Sequence, residues 1–115
     1  MATKAADRKA FVIKSPLKAW PGEIRLPLQD DFNGVHWRSW KESVNRARRK
    51  SYALTHLYCY AGLELIQAAG DWSIDIPIAD VQAWEDAPED ERIKLVAWLG
   101  RSMMNYMDDI IDPKE

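Results

Sequence analysis

The segment from residue 35 to residue 69 constrains the fold most, because its core-type residues recur at spacings of three and four with no proline. Such spacing keeps side chains on one face of an α-helix. The pattern predicts one long helix over residues 35–69, and Gly70 suits its C-terminus. A helix of these 35 residues would be roughly 52 Å long, which exceeds the usual length in soluble proteins, so a break near Lys50 and Ser51 is the alternative. The residues on this face are Trp37, Trp40, Val44, Ala47, Ser51, Leu54, Tyr58, Ala61 and Leu65.

Two short β-strands are predicted before this helix. The run from Phe11 to Ile13 is rich in β-forming residues, and residues 23–28 alternate between polar and apolar side chains. The prolines and the glycine between these runs indicate a long loop, so we predict a β-hairpin over residues 10–28. Because a hairpin alone is only marginally stable in water, it must pack against the helices.

Two further helices are predicted in the second half. Pro77 suits the first turn of a short helix over residues 77–86, with Ile78, Val81 and Trp84 facing inward. Pro88 starts a C-terminal helix over residues 88–111, whose broad apolar face indicates a central place in a bundle. We therefore predict an α+β, mostly helical fold, in which an N-terminal β-hairpin packs on a bundle of about three helices. Residues 1–9 are predicted to be a flexible tail, and residues 10–115 a single domain.

Composition limits the class of protein. The 115 residues include one cysteine, so no intrachain disulfide can form. No apolar run reaches the roughly 18–20 residues that a membrane span needs, and the N-terminus has no apolar signal region. We therefore expect a small soluble protein of the cytoplasm, without a membrane partner.

Charge is divided unevenly between the two halves of the chain. Residues 1–50 carry 12 Lys and Arg against 5 Asp and Glu, a net of +7, whereas residues 51–115 carry 4 against 13, a net of −9. The whole chain has 16 basic and 18 acidic residues, so its net charge of −2 conceals this division. The halves are expected to meet either within one molecule or between copies, which would give a homo-oligomer.

The sharpest basic cluster consists of Arg46, Arg48, Arg49 and Lys50. Such a cluster can neutralise nucleic-acid phosphates, bind an acidic protein or form a solvated helix face. The pI of about 5.7 and the lack of a compact helix-turn-helix pattern make nucleic acid the less favoured partner. We therefore treat these four residues as candidates for protein interaction.

Four other residues are candidates for the same role. Trp20 lies in a Pro-Gly loop, where it either is exposed or fixes the hairpin to the helices. Met103, Met104 and Met107 could line an adaptable binding groove, because methionine side chains repack easily. Core filling is the favoured alternative for these methionines.

Motifs for catalysis or metal binding are incomplete. Residues 108–112 read D-D-x-x-D, a spacing that can hold Mg²⁺ against a diphosphate, but no second metal-binding segment accompanies it. His36, His56 and Cys59 do not have zinc-finger spacing. We therefore predict no catalytic residues, no metal site, no cofactor and no enzymatic activity.

The stretch from Trp20 to Pro27 resembles the W-P-G-x-[IV]-x-L-P stretch of small phage proteins that are encoded among tail genes and are similar to tail assembly chaperones. The likeness continues with Phe32, with the helical segment from Trp40 to Val44, and with Ala97-Trp98-Leu99 and Tyr106. These motifs are short and structural, and they bring no catalytic residues with them.

The resemblance implies a non-enzymatic role in bacteriophage tail assembly. Such chaperones coat the tape-measure protein and help to recruit tail-tube subunits in the cytoplasm of the bacterial host. They pair a small β element with helices, can oligomerise, and often have a longer product made by translational frameshifting. Two alternatives stay open: a small nucleic-acid-binding regulator that uses Arg46 to Lys50, and a structural component of the virion.

Overall fold

The α+β, mostly helical fold predicted from the sequence is confirmed in a computed structural model, which describes residues 10–83 and 91–111. The predicted tail, residues 1–9, lies outside the described residues. The elements in chain order are β1 (Phe11–Lys14), β2 (Glu23–Leu26), a 3₁₀ turn (Gln29–Asp31), α1 (Gly34–Arg49), α2 (Leu54–Ala69), β3 (Asp71–Trp72), α3 (Ile78–Gln82) and α4 (Glu91–Ile111).

The predicted hairpin is present, and a third strand extends it. β1 and β2 pair antiparallel with Phe11 opposite Leu26, and the Ser15 amide donates to the Gly22 carbonyl at 2.9 Å where the loop begins. β3 pairs with the other edge of β2, with Ile24 opposite Trp72. The sequence indicated only a connector at β3, because two residues are too short to show alternation.

Gly22 joins the hairpin loop to the chain that follows β3. Its φ of 135° is a conformation that L side chains rarely adopt, and a Cβ there would collide with the backbone of Ser73 and Ile74. The Asp75 amide donates to the Pro21 carbonyl at 2.9 Å beside it. The Pro-Gly pair therefore allows two distant segments to pack closely.

The predicted single helix over residues 35–69 is instead two helices, α1 and α2, and the alternative break near Lys50 and Ser51 is the one observed. Ser51 has a positive φ of 63°, which is incompatible with a continuing right-handed helix. The amide of Tyr52 donates to the carbonyl of Ala47 at 3.3 Å, so the chain turns at this point. This turn lets α2 pack against α1.

α2 is the central helix of the fold. It packs against both α1 and α4, which make little contact with each other, and it also supports β2 and β3. Ser51 and Leu54, which the periodicity placed on the apolar face, are exposed because they flank the break. The buried residues of α2 are Leu57, Cys59, Ala61, Gly62, Leu63, Leu65 and Ile66.

Glycines allow α2 and α4 to approach closely. A Cβ at Gly62 would meet the side chain of Met103, and one at Gly100 would meet the backbone carbonyl of Thr55. Removing a side chain at such points lets helix backbones come nearer together. The close packing of α2 against α4 therefore depends on glycine at these two positions.

The two predicted C-terminal helices are both present where the structure describes the chain. α3 is the helix predicted at residues 77–86; Val81 is buried and Ile78 is half-buried, whereas residues 84–86, including Trp84, lie outside the described part. α4 is the helix predicted at residues 88–111, of which residues 88–90 also lie outside it. In the described ranges, no helix is both long and apolar enough to cross a membrane.

Candidate interaction surface

Of the four residues in the predicted basic cluster, Arg46 turns toward α2. Its guanidinium forms an ion pair with the Glu64 carboxylate and donates to the Ser43 hydroxyl at 3.2 Å. The Ser43 hydroxyl, which is buried, also donates to Glu64. Arg46 is therefore a structural residue that ties α1 to α2.

The ion pair changes the pKa of both partners. Partial burial alone would raise the pKa of Glu64, but hydrogen bonds from Ser43 and Arg46, with the charge of Arg46, lower it below its usual value. The hydrogen bond to Glu64 raises the pKa of Arg46. Both groups are consequently charged at neutral pH.

Lys50 belongs to an aromatic group at the break between α1 and α2. Its Nζ lies 5.8 Å from the centre of the Tyr52 ring and 5.5 Å from that of Tyr60. Tyr52 in turn stacks on His56, with ring centres 3.8 Å apart. Cation–π contacts over such distances are weakly stabilising, so Lys50 helps to order the break.

Arg48 and Arg49 lie on the exposed side of α1, together with Arg38 and Lys41. Lys41 and Arg48 are seven residues apart, and Arg38 and Arg49 are eleven apart, so each pair aligns along the helix axis. At 1.5 Å per residue, the two pairs span about 10 Å and about 16 Å. We call these four residues the basic face. Glu42 is an exposed carboxylate on the same side.

A shallow open depression lies beside one edge of the basic face. Trp40, almost fully buried, and Val44, half-buried, are its apolar residues, and Asn45 lies between the two cations Lys41 and Arg48. The depression therefore combines apolar surface with positive charge. Grouping neighbours in sequence did not reveal the alignment of these cations, which spacings of seven and eleven would have found.

Trp20 and the methionines serve mainly the fold. Trp20 is half-buried and packs against the core. Met103 and Met107 are buried, which supports core filling and contradicts an exposed groove at these two positions, because α4 buries them against α2 and its neighbours. Met104 is half-buried.

Three of the residues that carry the resemblance, Pro27, Phe32 and Tyr106, lie close together. The Tyr106 hydroxyl donates to the Pro27 carbonyl at 2.5 Å, and its ring lies 5.1 Å from that of Phe11 and 6.2 Å from that of Phe32. Phe32 also packs edge-to-face on Trp37, with ring centres 5.0 Å apart. Burial, with a smaller contribution from the charge of Asp109, raises the pKa of Tyr106. We call Pro27, Phe32 and Tyr106 the aromatic junction.

The candidate residues for catalysis or metal binding have other roles or environments in the described part of the chain. Cys59 is buried, and burial raises its pKa to about 12, so the thiol stays protonated at neutral pH. His36 caps α1, where its Nδ1 accepts from the Asn33 amide at 3.3 Å. Across residues 10–83 and 91–111, no three His, Cys, Asp or Glu residues are arranged to hold a metal ion. Asp112 of the D-D-x-x-D stretch lies outside these ranges.

Comparison with known proteins finds no match: no protein family, no curated protein and no solved structure is significantly similar to this chain.

Proposed function

We propose that this chain is a non-enzymatic assembly chaperone of a bacteriophage tail, which binds the tape-measure or tail-tube protein in the cytoplasm of the bacterial host. The observation that supports this proposal most is the aromatic junction. Pro27, at the end of the stretch that resembles the phage proteins, accepts a hydrogen bond from Tyr106, 79 residues away.

The junction supports the proposal because it brings together residues from three separate parts of the resemblance. Short motifs that match by coincidence need not touch one another, whereas Pro27, Phe32 and Tyr106 pack into one cluster. They hold the sheet against the C-terminal half of α4, and Gln29 adds a contact at 3.4 Å to the Ile110 carbonyl. These three residues therefore act together to stabilise one architecture.

The experiment is co-purification with the proteins encoded beside this chain. An affinity-tagged chain would be co-expressed with the tape-measure and tail-tube proteins of the same genome, each in turn. We expect one of them to co-purify with the chain. Capture of neither protein would contradict the proposal.

Mass spectrometry of finished particles separates a chaperone from a structural component. A chaperone acts during assembly and is absent from the mature particle, so we expect no peptides of this chain in purified virions. Stoichiometric amounts of the chain there would instead support the alternative of a structural virion component, such as a connector or tail protein.

We extend the proposal to self-association, because positive and negative charge are segregated along the chain. The basic face is on α1 and the acidic residues Asp108 and Asp109 are on α4, two helices that make little contact with each other. Contacts between copies can bring the two charges together. Sedimentation velocity should show association at low salt and less at high salt, and a strict monomer at low salt would contradict this extension.

A further inference from the structure

We propose that the depression lined by Trp40, Lys41, Val44, Asn45 and Arg48 binds an acidic amphipathic helix of a protein partner. This inference rests on the proposed function, because it specifies where on this chain the assembly partner docks. It gives Lys41 and Arg48 of α1 a binding role that Arg46 and Lys50 of the predicted basic cluster do not share.

Charge complementarity argues for an acidic occupant. Lys41 and Arg48 stand two helical turns apart, about 10 Å, on the rim of the depression. Carboxylates two turns apart on a partner helix have the same spacing. Arg46 is not available to such a partner, because Glu64 already pairs with it. The depression therefore presents two aligned cations of its own.

The apolar surface of the depression argues for a protein rather than a nucleic acid. Val44, which is half-buried, offers surface on which a Leu or Ile side chain of the partner can be buried, and Trp40, which is almost fully buried, adds little to it. A phosphate group gains nothing from contact with such apolar surface. An acidic helix with one apolar edge satisfies both the cations and the apolar residues.

A second copy of the chain is the less suitable occupant. The exposed side of α4 carries Lys94 and Arg101 before its acidic last turn at Asp108. One acidic turn is about 5 Å long, half the separation of Lys41 and Arg48, so it can pair with only one of these two cations. A longer acidic helix from another protein can pair with both.

The test uses the full chain and a labelled peptide of about 21 residues, built from Glu, Ala and Leu with Leu along one edge, which is long enough to form a helix. Its control is the same peptide with Gln in place of Glu. Fluorescence anisotropy at low and high salt should show tighter binding of the Glu peptide, and weakening by salt. Equal binding of the two peptides would overturn the proposal.

Paired charge reversals locate the binding site. Lys41→Glu with Arg48→Glu should weaken binding of the Glu peptide roughly tenfold or more, because attraction becomes repulsion at two contacts. Arg38→Glu with Arg49→Glu changes the net charge equally on the same helix but away from the apolar residues, so it should weaken binding less. Equal losses would overturn the depression as the site. Lys14→Glu with Lys18→Glu, two exposed cations of the hairpin, is the control for net charge alone.

Two further outcomes would also contradict the inference. A 20-mer DNA duplex that binds more tightly than the peptide, with equal losses from both α1 pairs, would assign the basic face to nucleic acid. Loss of self-association in the Lys41 and Arg48 variant, with peptide binding as tight as in wild type, would assign these two cations to a second copy instead. Circular dichroism of every variant checks that the fold is intact, which we expect because the changed residues are exposed.

The same variants separate this inference from the proposed function. If wild type and the Lys41 and Arg48 variant capture the tape-measure or tail-tube protein equally, the function stands and the docking surface fails. If neither protein is captured while the peptide binds as described, the surface stands and the proposed function fails.

Discussion

α1 and α4 both pack against α2, but with different kinds of surface. α4 buries a broad apolar face that includes Met103, Tyr106, Met107 and Ile110. α1 buries only Trp40, Ser43 and Ala47, and its outer side carries the basic face. A helix that is apolar over much of its circumference contributes mainly to stability, whereas a helix with one narrow apolar face leaves the rest of its surface for contacts. The predicted interaction residues therefore fall into two groups: Met103 and Met107 lie in the core, whereas Arg48 and Arg49 lie on the surface.

The largest effect on stability is expected in α4. Met103→Ala should lower the free energy of unfolding by about 3 kcal/mol, because it leaves a cavity between α4 and Gly62 of α2. Met104→Ala, at a half-buried position one residue away, should cost less than about 1 kcal/mol. Urea denaturation measures both, and equal losses would contradict the division between buried and half-buried methionines.

The close approach of α4 to α2 gives the second prediction. Gly100→Ala places a methyl group against the Thr55 carbonyl and should cost about 2 kcal/mol, since backbone at that point cannot easily move. Gly34→Ala in the first turn of α1 meets no neighbour and should be neutral or slightly stabilising. Thermal unfolding measures the stability of both variants. A Gly34→Ala variant that is less stable than Gly100→Ala would contradict the prediction.

The aromatic junction gives a prediction with a pH dependence. Tyr106→Phe removes the hydrogen bond to Pro27 and should cost about 1 kcal/mol at neutral pH. Because the pKa of Tyr106 is raised in the folded chain, its stabilising contribution is complete below the ordinary tyrosine pKa, about 10, and is lost as pH rises through the folded value.

Wild type should therefore lose stability more steeply above about pH 10 than the Tyr106→Phe variant. Cys59, whose pKa is also raised, is present in both proteins, so the difference between them isolates the tyrosine. Urea denaturation at a series of alkaline pH values gives the two profiles. Parallel profiles would mean that Tyr106 ionises normally in the folded chain.

The smallest expected effect on stability is within the basic cluster, where Arg46 pairs with Glu64 and Arg48 is exposed. Arg46→Ala should lower the free energy of unfolding by about 0.5 kcal/mol, because it breaks the partly exposed pair with Glu64. Arg48→Ala should leave stability unchanged. The lowered pKa of Glu64 means that its contribution is present above the ordinary glutamate pKa, about 4.3, and is lost as pH falls. The two variants should therefore become equally stable in acid, and a difference that persists there would exclude the ion pair as its cause.

The sequence predicted the elements of the fold better than their arrangement. Period-two and period-three-to-four patterns identified the hairpin and the helices, because these patterns reflect which side chains are buried. The sequence predicted the break at Ser51 only as an alternative. A positive φ at a serine depends on tertiary packing, which local helix propensity does not reflect. β3 was not predicted because its two residues are too short a run to show alternation of polar and apolar side chains.

The candidate surface was predicted less completely. Neighbours in sequence, Arg46 to Lys50, were grouped as one cluster, yet Arg46 pairs with Glu64 on α2 and Lys50 packs on aromatic rings. Those partners lie in α2 or in the chain just before it, so the packing of α2 against α1 decides the roles. The depression depends on Val44 remaining partly accessible beside Lys41, which no periodicity reveals.

The most direct test of the account measures stability and binding together for two variants, Met103→Ala in α4 and Lys41→Glu with Arg48→Glu in α1. We predict that Met103→Ala loses stability but, at a temperature where it stays folded, binds the Glu peptide as wild type does. We predict that the α1 variant keeps its stability and loses binding. An α1 variant that unfolds as readily as Met103→Ala, or binds as tightly as wild type, would contradict the assignment of stability to α4 and binding to α1.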